Sequence, residues 1–161
     1  MKYSNRKVIY KGEKYDSEKE LQFFQQYIEH SGKKYDVHRR YQLFNKPPVG
    51  GRNMRSRFYT PDFVVFDERG NLAHVYDVKT SISKYAVTEG ARWRFYVFAV
   101  KYGIPVEVVA PRAHDFKMKI FDLTTQVQTK HLKTGRNGKR TNEYYDVFSS
   151  IDYDVHDIIG E

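Results

Sequence analysis

The apolar run Phe63-Val64-Val65-Phe66 is separated from the run Leu72 to Thr80 by only Asp67-Glu68-Arg69-Gly70-Asn71. Gly70 and Asn71 accept positive φ, and the charged residues before them suit a solvated turn. Two aromatic and β-branched runs joined this way read as a hairpin, with the first strand reaching back to Arg57. Asp67 and Glu68 therefore belong to a turn rather than to a site. The hairpin makes Pro61-Asp62 and Asp77-Val78-Lys79 neighbours, and that juxtaposition constrains the rest of the reading.

Elements on either side complete a pattern. Asp16 or Ser17 can cap a helix whose first turn carries Glu18 and Glu20, where the dipole favours acid. Leu21, Phe24 and Ile28 recur at helical spacing, and Ser31-Gly32 ends the helix. Val8 to Lys14 alternates weakly and suggests a short hairpin arm. Tyr35 to Phe44 reads as a strand with His38, Arg39 and Arg40 among its aromatics. Thr88 to Tyr102 is predicted helical, with Ala91, Phe95, Phe98, Ala99 and Tyr102 on one face and Gly103 at its left-handed end. Trp93 and Tyr96 are expected in the core with Phe95 and Phe98. Ile104 to Ala110 reads as a buried strand closed by Pro111. The order helix, strand, strand, strand, helix, strand predicts an α/β fold, a mixed central sheet flanked by helices with a right-handed crossover.

Composition excludes several classes. The 161 residues contain no cysteine, which rules out disulfide scaffolds and thiolate metal sites. Trp93 to Val100 is the most apolar stretch. It contains Arg94 and falls far short of the ~20 residues of a spanning helix, so no membrane association is expected. Met1 to Lys11 lacks the apolar segment of an export signal, and a cytoplasmic location follows as an expectation. Lys and Arg number 28 against 20 Asp and Glu, a net charge of +8. A surplus of this sign points to a polyanionic partner, nucleic acid first.

The residue types near the hairpin suit metal-assisted phosphodiester chemistry. Asp77 and Lys79 are two apart on a strand and share a face. Val78 points the other way, leaving its carbonyl at the same edge. Asp62, Asp77 and that carbonyl form a hard oxygen set of the kind that holds Mg²⁺ with several waters. Lys79 beside them can orient or deprotonate a water, or stabilise transition-state charge. Glu20 on the first helix is a further oxygen donor, with Glu18 its competitor. Arg39, Arg40, Arg52, Arg55, Arg57 and Lys84 are candidate DNA-binding residues. His38 is read as an exposed histidine, or one touching phosphate.

Pro61-Asp62 followed by Asp77-Val78-Lys79, with the aspartates fifteen positions apart, resembles the PD-(D/E)xK nuclease signature. Asp16-Ser17-Glu18-Lys19-Glu20 leading a helix fits the same superfamily. More narrowly, Tyr10 to Ala110 resembles small phage-encoded endonucleases related to Holliday-junction resolvases. The resemblance covers about two-thirds of the chain and leaves the tail beyond Phe121 unmatched. It implies a restriction-endonuclease-like core over residues 15–124, between an N-terminal arm (1–14) and a basic hairpin or mobile loop with a C-terminal tail (125–161). It also implies a metal-dependent, structure-selective DNA endonuclease, a Holliday-junction resolvase acting in a host cytoplasm. Mg²⁺, with Mn²⁺ as substitute, would be held by Asp62, Asp77, Val78 and Glu20, and Lys79 would complete the catalytic set. A homodimer on branched or four-way DNA follows from the same resemblance, with the arm and tail as candidate dimer elements. The alternatives are a transposon-end, nicking or flap nuclease of the same superfamily, and a non-catalytic basic DNA-binding module.

Overall fold

The computed structural model describes residues 6–160. Strands β1 (Val8–Tyr10) and β2 (Glu13–Tyr15) form the expected N-terminal hairpin. Its turn residues Lys11 and Gly12 have φ of 48° and 80°, the type I′ pattern whose twist suits paired strands. Residues 1–5 of the arm lie outside the described residues.

Helix α1 (Glu18–Phe23) is capped by Ser17, whose hydroxyl accepts from the Glu20 amide at 3.1 Å. Glu20 Oε2 accepts from the Asp16 amide at 3.1 Å. This near-reciprocal cap holds the Glu20 side chain at the helix start. The helix then widens into a π turn over Phe24–Ile28 and ends earlier than the predicted Ser31. In this stretch Phe23 and Phe24, adjacent in sequence, are both buried and both stack on Phe63.

Next come β3 (Tyr35–Val37), β4 (Tyr41–Phe44), β5 (Pro48–Val49), β6 (Arg52–Asn53), β7 (Arg57–Tyr59), β8 (Phe63–Phe66) and β9 (Leu72–Val78). They are followed by α2 (Glu89–Tyr102), β10 (Glu107–Pro111), β11 (Phe116–Lys119), β12 (Lys130–Thr134), β13 (Arg140–Tyr144), β14 (Asp146–Phe148) and α3 (His156–Ile159). Six strands form one sheet in the order β14-β11-β10-β9-β8-β3. β9 and β10 are parallel and joined through α2, and the other neighbouring pairs are antiparallel. The mixed α/β sheet expected from the sequence is present.

Two predicted strands are each broken. Tyr35 to Phe44 divides at His38, whose φ of 54° turns the chain out of the sheet. Arg57 to Phe66 divides at Thr60-Pro61-Asp62, where Pro61 has no amide to give a ladder. The breaks lie opposite each other: the His38 amide donates to the Asp62 carbonyl at 3.1 Å. Beyond them β4 and β7 pair only with each other, and β5 and β6 form the exposed tip of this finger. Three further boundaries differ. β10 begins at Glu107 rather than Ile104. β9 ends at Val78 rather than Thr80, and Pro111 is the last residue of β10, paired with Phe116, not a stop before it.

Val64 and Val65 point to opposite faces of β8 and are 1% and 0% exposed, so both faces of the sheet are covered. Phe23 of α1 packs on Phe63, Tyr76 and Phe116. In α2, capped by Thr88 and ended by left-handed Gly103, Ala91, Phe95 and Phe98 are buried. Phe98 meets Tyr41 and Tyr59 of the finger edge-on. Trp93 and Tyr96 depart from the sequence reading. They lie on the outer helix face, 61% and 50% exposed. The tail also enters the fold: β14 adds the sixth strand, and Ile151 and Val155 are buried. Among the described residues no helix is long and apolar enough to cross a membrane.

Candidate active site

The breaks at His38 and Asp62 bring both side chains together at the end of the sheet, and α1 adds Glu20 beside them. One ligand atom each from Glu20, His38 and Asp62 lies within 4.8 Å of the others. Glu20 is buried and faces the cluster, whereas Glu18 is exposed, which decides between the two helix glutamates. Asp62 Oδ2 accepts from the Val78 amide at 2.7 Å. Val78 is thus tied to the site through its amide, a contact the sequence reading did not foresee.

Asp77 and Lys79 share a face as expected, with Lys79 Nζ 2.6 Å from Asp77 Oδ1. The other Asp77 oxygen accepts from the Tyr59 hydroxyl at 2.8 Å, a fully buried contact. His38 Nδ1 meets Glu13 Oε1 at 2.9 Å and its Nε2 meets Glu20. Glu13, His38 and Tyr59 are members that sequence reasoning missed. Glu13 reaches the cluster only because β1 and β2 fold back, and His38 only because its backbone leaves the strand.

The electrostatics follow from this crowding. Burial pushes the Asp62 carboxyl well above the usual range, and the charges of Asp77 and Glu20 push it further. The Val78 amide and Lys79 offset only part of this. The His38 imidazole is raised to about 9, chiefly by its hydrogen bond to Glu20, with burial opposing and Glu13 assisting. Burial pulls the Lys79 ammonium down, but Asp77 and Asp62 outweigh it and hold its pKa above the ordinary value. Burial and Asp77 keep the Tyr59 hydroxyl protonated. Three carboxylates therefore converge on one end of the sheet with two cations beside them. The donors are hard oxygens, and the strain on Asp62 is the kind that a bound divalent cation relieves. The residues present fit such an ion.

The candidate DNA contacts are dispersed. Arg39 pairs with Asp36 at 3.1 Å, and the Arg40 guanidinium lies 3.5 Å over the Phe58 ring. Arg52, Arg55 and Arg57 are exposed on the finger, and Lys84 is exposed in the loop beyond Lys79.

The fold and cluster define an α/β protein with a mixed sheet and an acidic, lysine-bearing side-chain cluster at one end of it. Residues 1–134 match the model of the family described as protein of unknown function (DUF1064), and the chain belongs to that family. No curated protein and no solved structure matches it.

Proposed function

We propose that the chain is a metal-dependent DNA endonuclease with a restriction-endonuclease-like core, selective for branched DNA such as a four-way junction. The observation that carries this reading is the convergence, at one end of the sheet, of Glu20 of α1, Asp62 of the β7–β8 break and Asp77 of β9, with Lys79 just beyond that strand. Glu20, Asp62 and Asp77 are the residues to hold Mg²⁺ or Mn²⁺. When bound, the ion would polarise the phosphodiester and lower the pKa of a coordinated water. Lys79 remains an ammonium beside Asp77, so its role is to orient the attacking water and offset charge on the phosphoryl oxygens, rather than to act as a base. Tyr59 fixes the Asp77 carboxylate, and the Val78 amide fixes that of Asp62. Hydrolysis joins the water oxygen to phosphorus, breaks the bond to the leaving sugar oxygen and passes one proton from the water to that oxygen.

Junction selectivity agrees with an interface of scattered Arg and Lys and no base-reading helix module, which favours shape over sequence. A twofold dimer would supply the two cuts a junction needs. The test is cleavage of duplex, flap and four-way substrates in Mg²⁺, Mn²⁺, Ca²⁺ and EDTA, with sedimentation of the free and DNA-bound protein. Cutting in Mg²⁺ and Mn²⁺, binding without cutting in Ca²⁺, and a dimer on junctions are expected. Equal turnover in EDTA sinks the metal assignment, and a monomer that cuts plain duplex equally well removes the junction preference alone.

A further inference from the structure

Immediately after Lys79 the chain runs through Thr80, Ser81, Ile82 and Ser83 along one wall of a groove of ≈ 320 Å³. The rest of the lining gathers four cations from separate elements, Lys19 of α1, Arg112 of the β10–β11 turn, Lys117 of β11 and Lys133 of β12, against one carboxylate, Glu143 of β13. Only Arg112 is neutralised closely, by Asp115 at 2.5 and 2.9 Å. Lys133 has Glu143 at a loose 3.9 Å. Lys19 donates to the Pro111 carbonyl at 3.1 Å, and Lys117 lies 4.6 Å over the Tyr145 ring. Neither has a carboxylate partner among the described residues. Burial and the neighbouring Lys133 charge hold the Lys117 ammonium below its usual pKa. Like charges brought together in a partly desolvated groove stabilise an anion placed between them. The wall opposite offers the hydroxyls of Ser81 and Ser83, 3.0 Å apart.

The groove also has a direction. Lys19 directly precedes Glu20, and Thr80 directly follows Lys79, so two of its lining segments run on directly from the acidic cluster. We infer that it is a phosphate subsite. It takes a backbone phosphate of the DNA strand that continues from the acidic cluster, with Lys117 and Lys133 as its main contacts. This rests on the proposed function and deepens it. The β12–β13 hairpin then acts as a clamp on the DNA, a different role from the dimer element considered for the tail.

The experiment measures junction binding by the full chain in EDTA across a salt series, so the metal plays no part. Lys117→Gln and Lys133→Gln, alone and together, are compared with the Lys→Arg pair, and thermal melting checks their fold. Each lysine lost should make the slope of log affinity against log salt shallower by about 0.9, and arginine should restore it. Single methylphosphonate replacements along the DNA then locate the contact. One neutralised phosphate should weaken wild-type binding yet leave the double Gln variant unaffected. Unchanged slopes in folded variants, or no such phosphate, overturn the subsite while leaving the nuclease reading intact. A wild-type protein that binds no DNA overturns both. Altered slopes in a protein that never cuts support the subsite and overturn the nuclease reading.

Discussion

Strand β9 carries two polar clusters that differ in one respect. On one face, His74 and Tyr76 gather with Glu107 and Tyr153. Glu107 is fully buried, and each of its oxygens has a donor: His74 Nδ1 at 2.8 Å and the Tyr153 hydroxyl at 2.6 Å. Tyr76 completes the chain through Tyr153 at 3.0 Å. One carboxylate is matched by its donors, and the network is closed. On the opposite face, Asp77 joins Asp62 and Glu20, and carboxylates outnumber the cations beside them. Lys79 keeps 31% of its side chain exposed there, so the cluster reaches solvent. Both clusters hold buried acids, but only the second has charge left over for a ligand. Closure marks a structural network and surplus marks a candidate site.

The largest effect expected is on the open cluster. Asp77→Asn or Asp62→Asn should lower cleavage in Mg²⁺ by about 10³-fold or more, since each removes a metal-holding charge. Binding of junction DNA should persist or tighten, because less negative charge faces the phosphates. A cleavage assay run beside a binding titration checks both, and wild-type rates in either variant would falsify the site. The closed cluster should respond oppositely. Glu107→Ala leaves the His74 and Tyr153 donors without their partner, at about 1–3 kcal/mol each. Urea unfolding should show that loss, while the proposed metal-dependent cleavage by the protein that remains folded should be unchanged. A stable Glu107→Ala protein with a changed metal requirement would erase the distinction between the clusters.

The open cluster was partly legible because its signals are local. Ser17-x-x-Glu20 writes its own cap, Asp77-x-Lys79 needs only strand alternation, and Gly70-Asn71 declares the turn that joins Asp62 to Asp77. What escaped is long-range. His38 adopts positive φ with a side chain that ordinarily avoids it, so nothing local announced the bend. Tyr59 looked like any strand aromatic, and its contact with Asp77 depends on β7 leaving the sheet. The closed cluster was invisible for the same reason, since His74 and Glu107 lie 33 residues apart. β14 is three residues long and too short to carry a period.

A smaller effect sharpens the comparison through pH. Asp62 has a folded pKa raised above its unfolded value, by burial first and then by Asp77 and Glu20. A raised carboxyl contributes stability that is complete below the unfolded value, and it is lost as pH rises through the folded one. Near neutrality, above the unfolded value, Asp62 in EDTA therefore weakens the fold. Asp62→Asn should melt higher than wild type there, and the gain should shrink as pH falls and Asp62 regains its proton. Mg²⁺ should raise the wild-type melting point and leave the variant nearly unmoved. An Asp62→Asn protein that melts lower than wild type at pH 7 in EDTA would show that the carboxylate is satisfied after all.

The smallest effect compares two hydroxyls that make the same kind of bond. Tyr59 donates to Asp77 and Tyr153 donates to Glu107, each within 3 Å. Tyr59→Phe keeps the ring against Phe95 and Phe98 and removes only the donor. Asp77 then loses one of the two contacts that aim it, its pair with Lys79 remaining. Poorer alignment worth about 1.4 kcal/mol would slow cleavage about tenfold. The Mg²⁺ concentration for half-maximal rate should rise with it, a readout that mere loosening of the fold would not move. Tyr153→Phe removes the equivalent donor from a network with no surplus charge. It should lower stability by about 1 kcal/mol and leave the Mg²⁺ requirement where it was. Melting curves and metal titrations of the two variants, side by side, test whether the same bond serves position on one face of β9 and cohesion on the other.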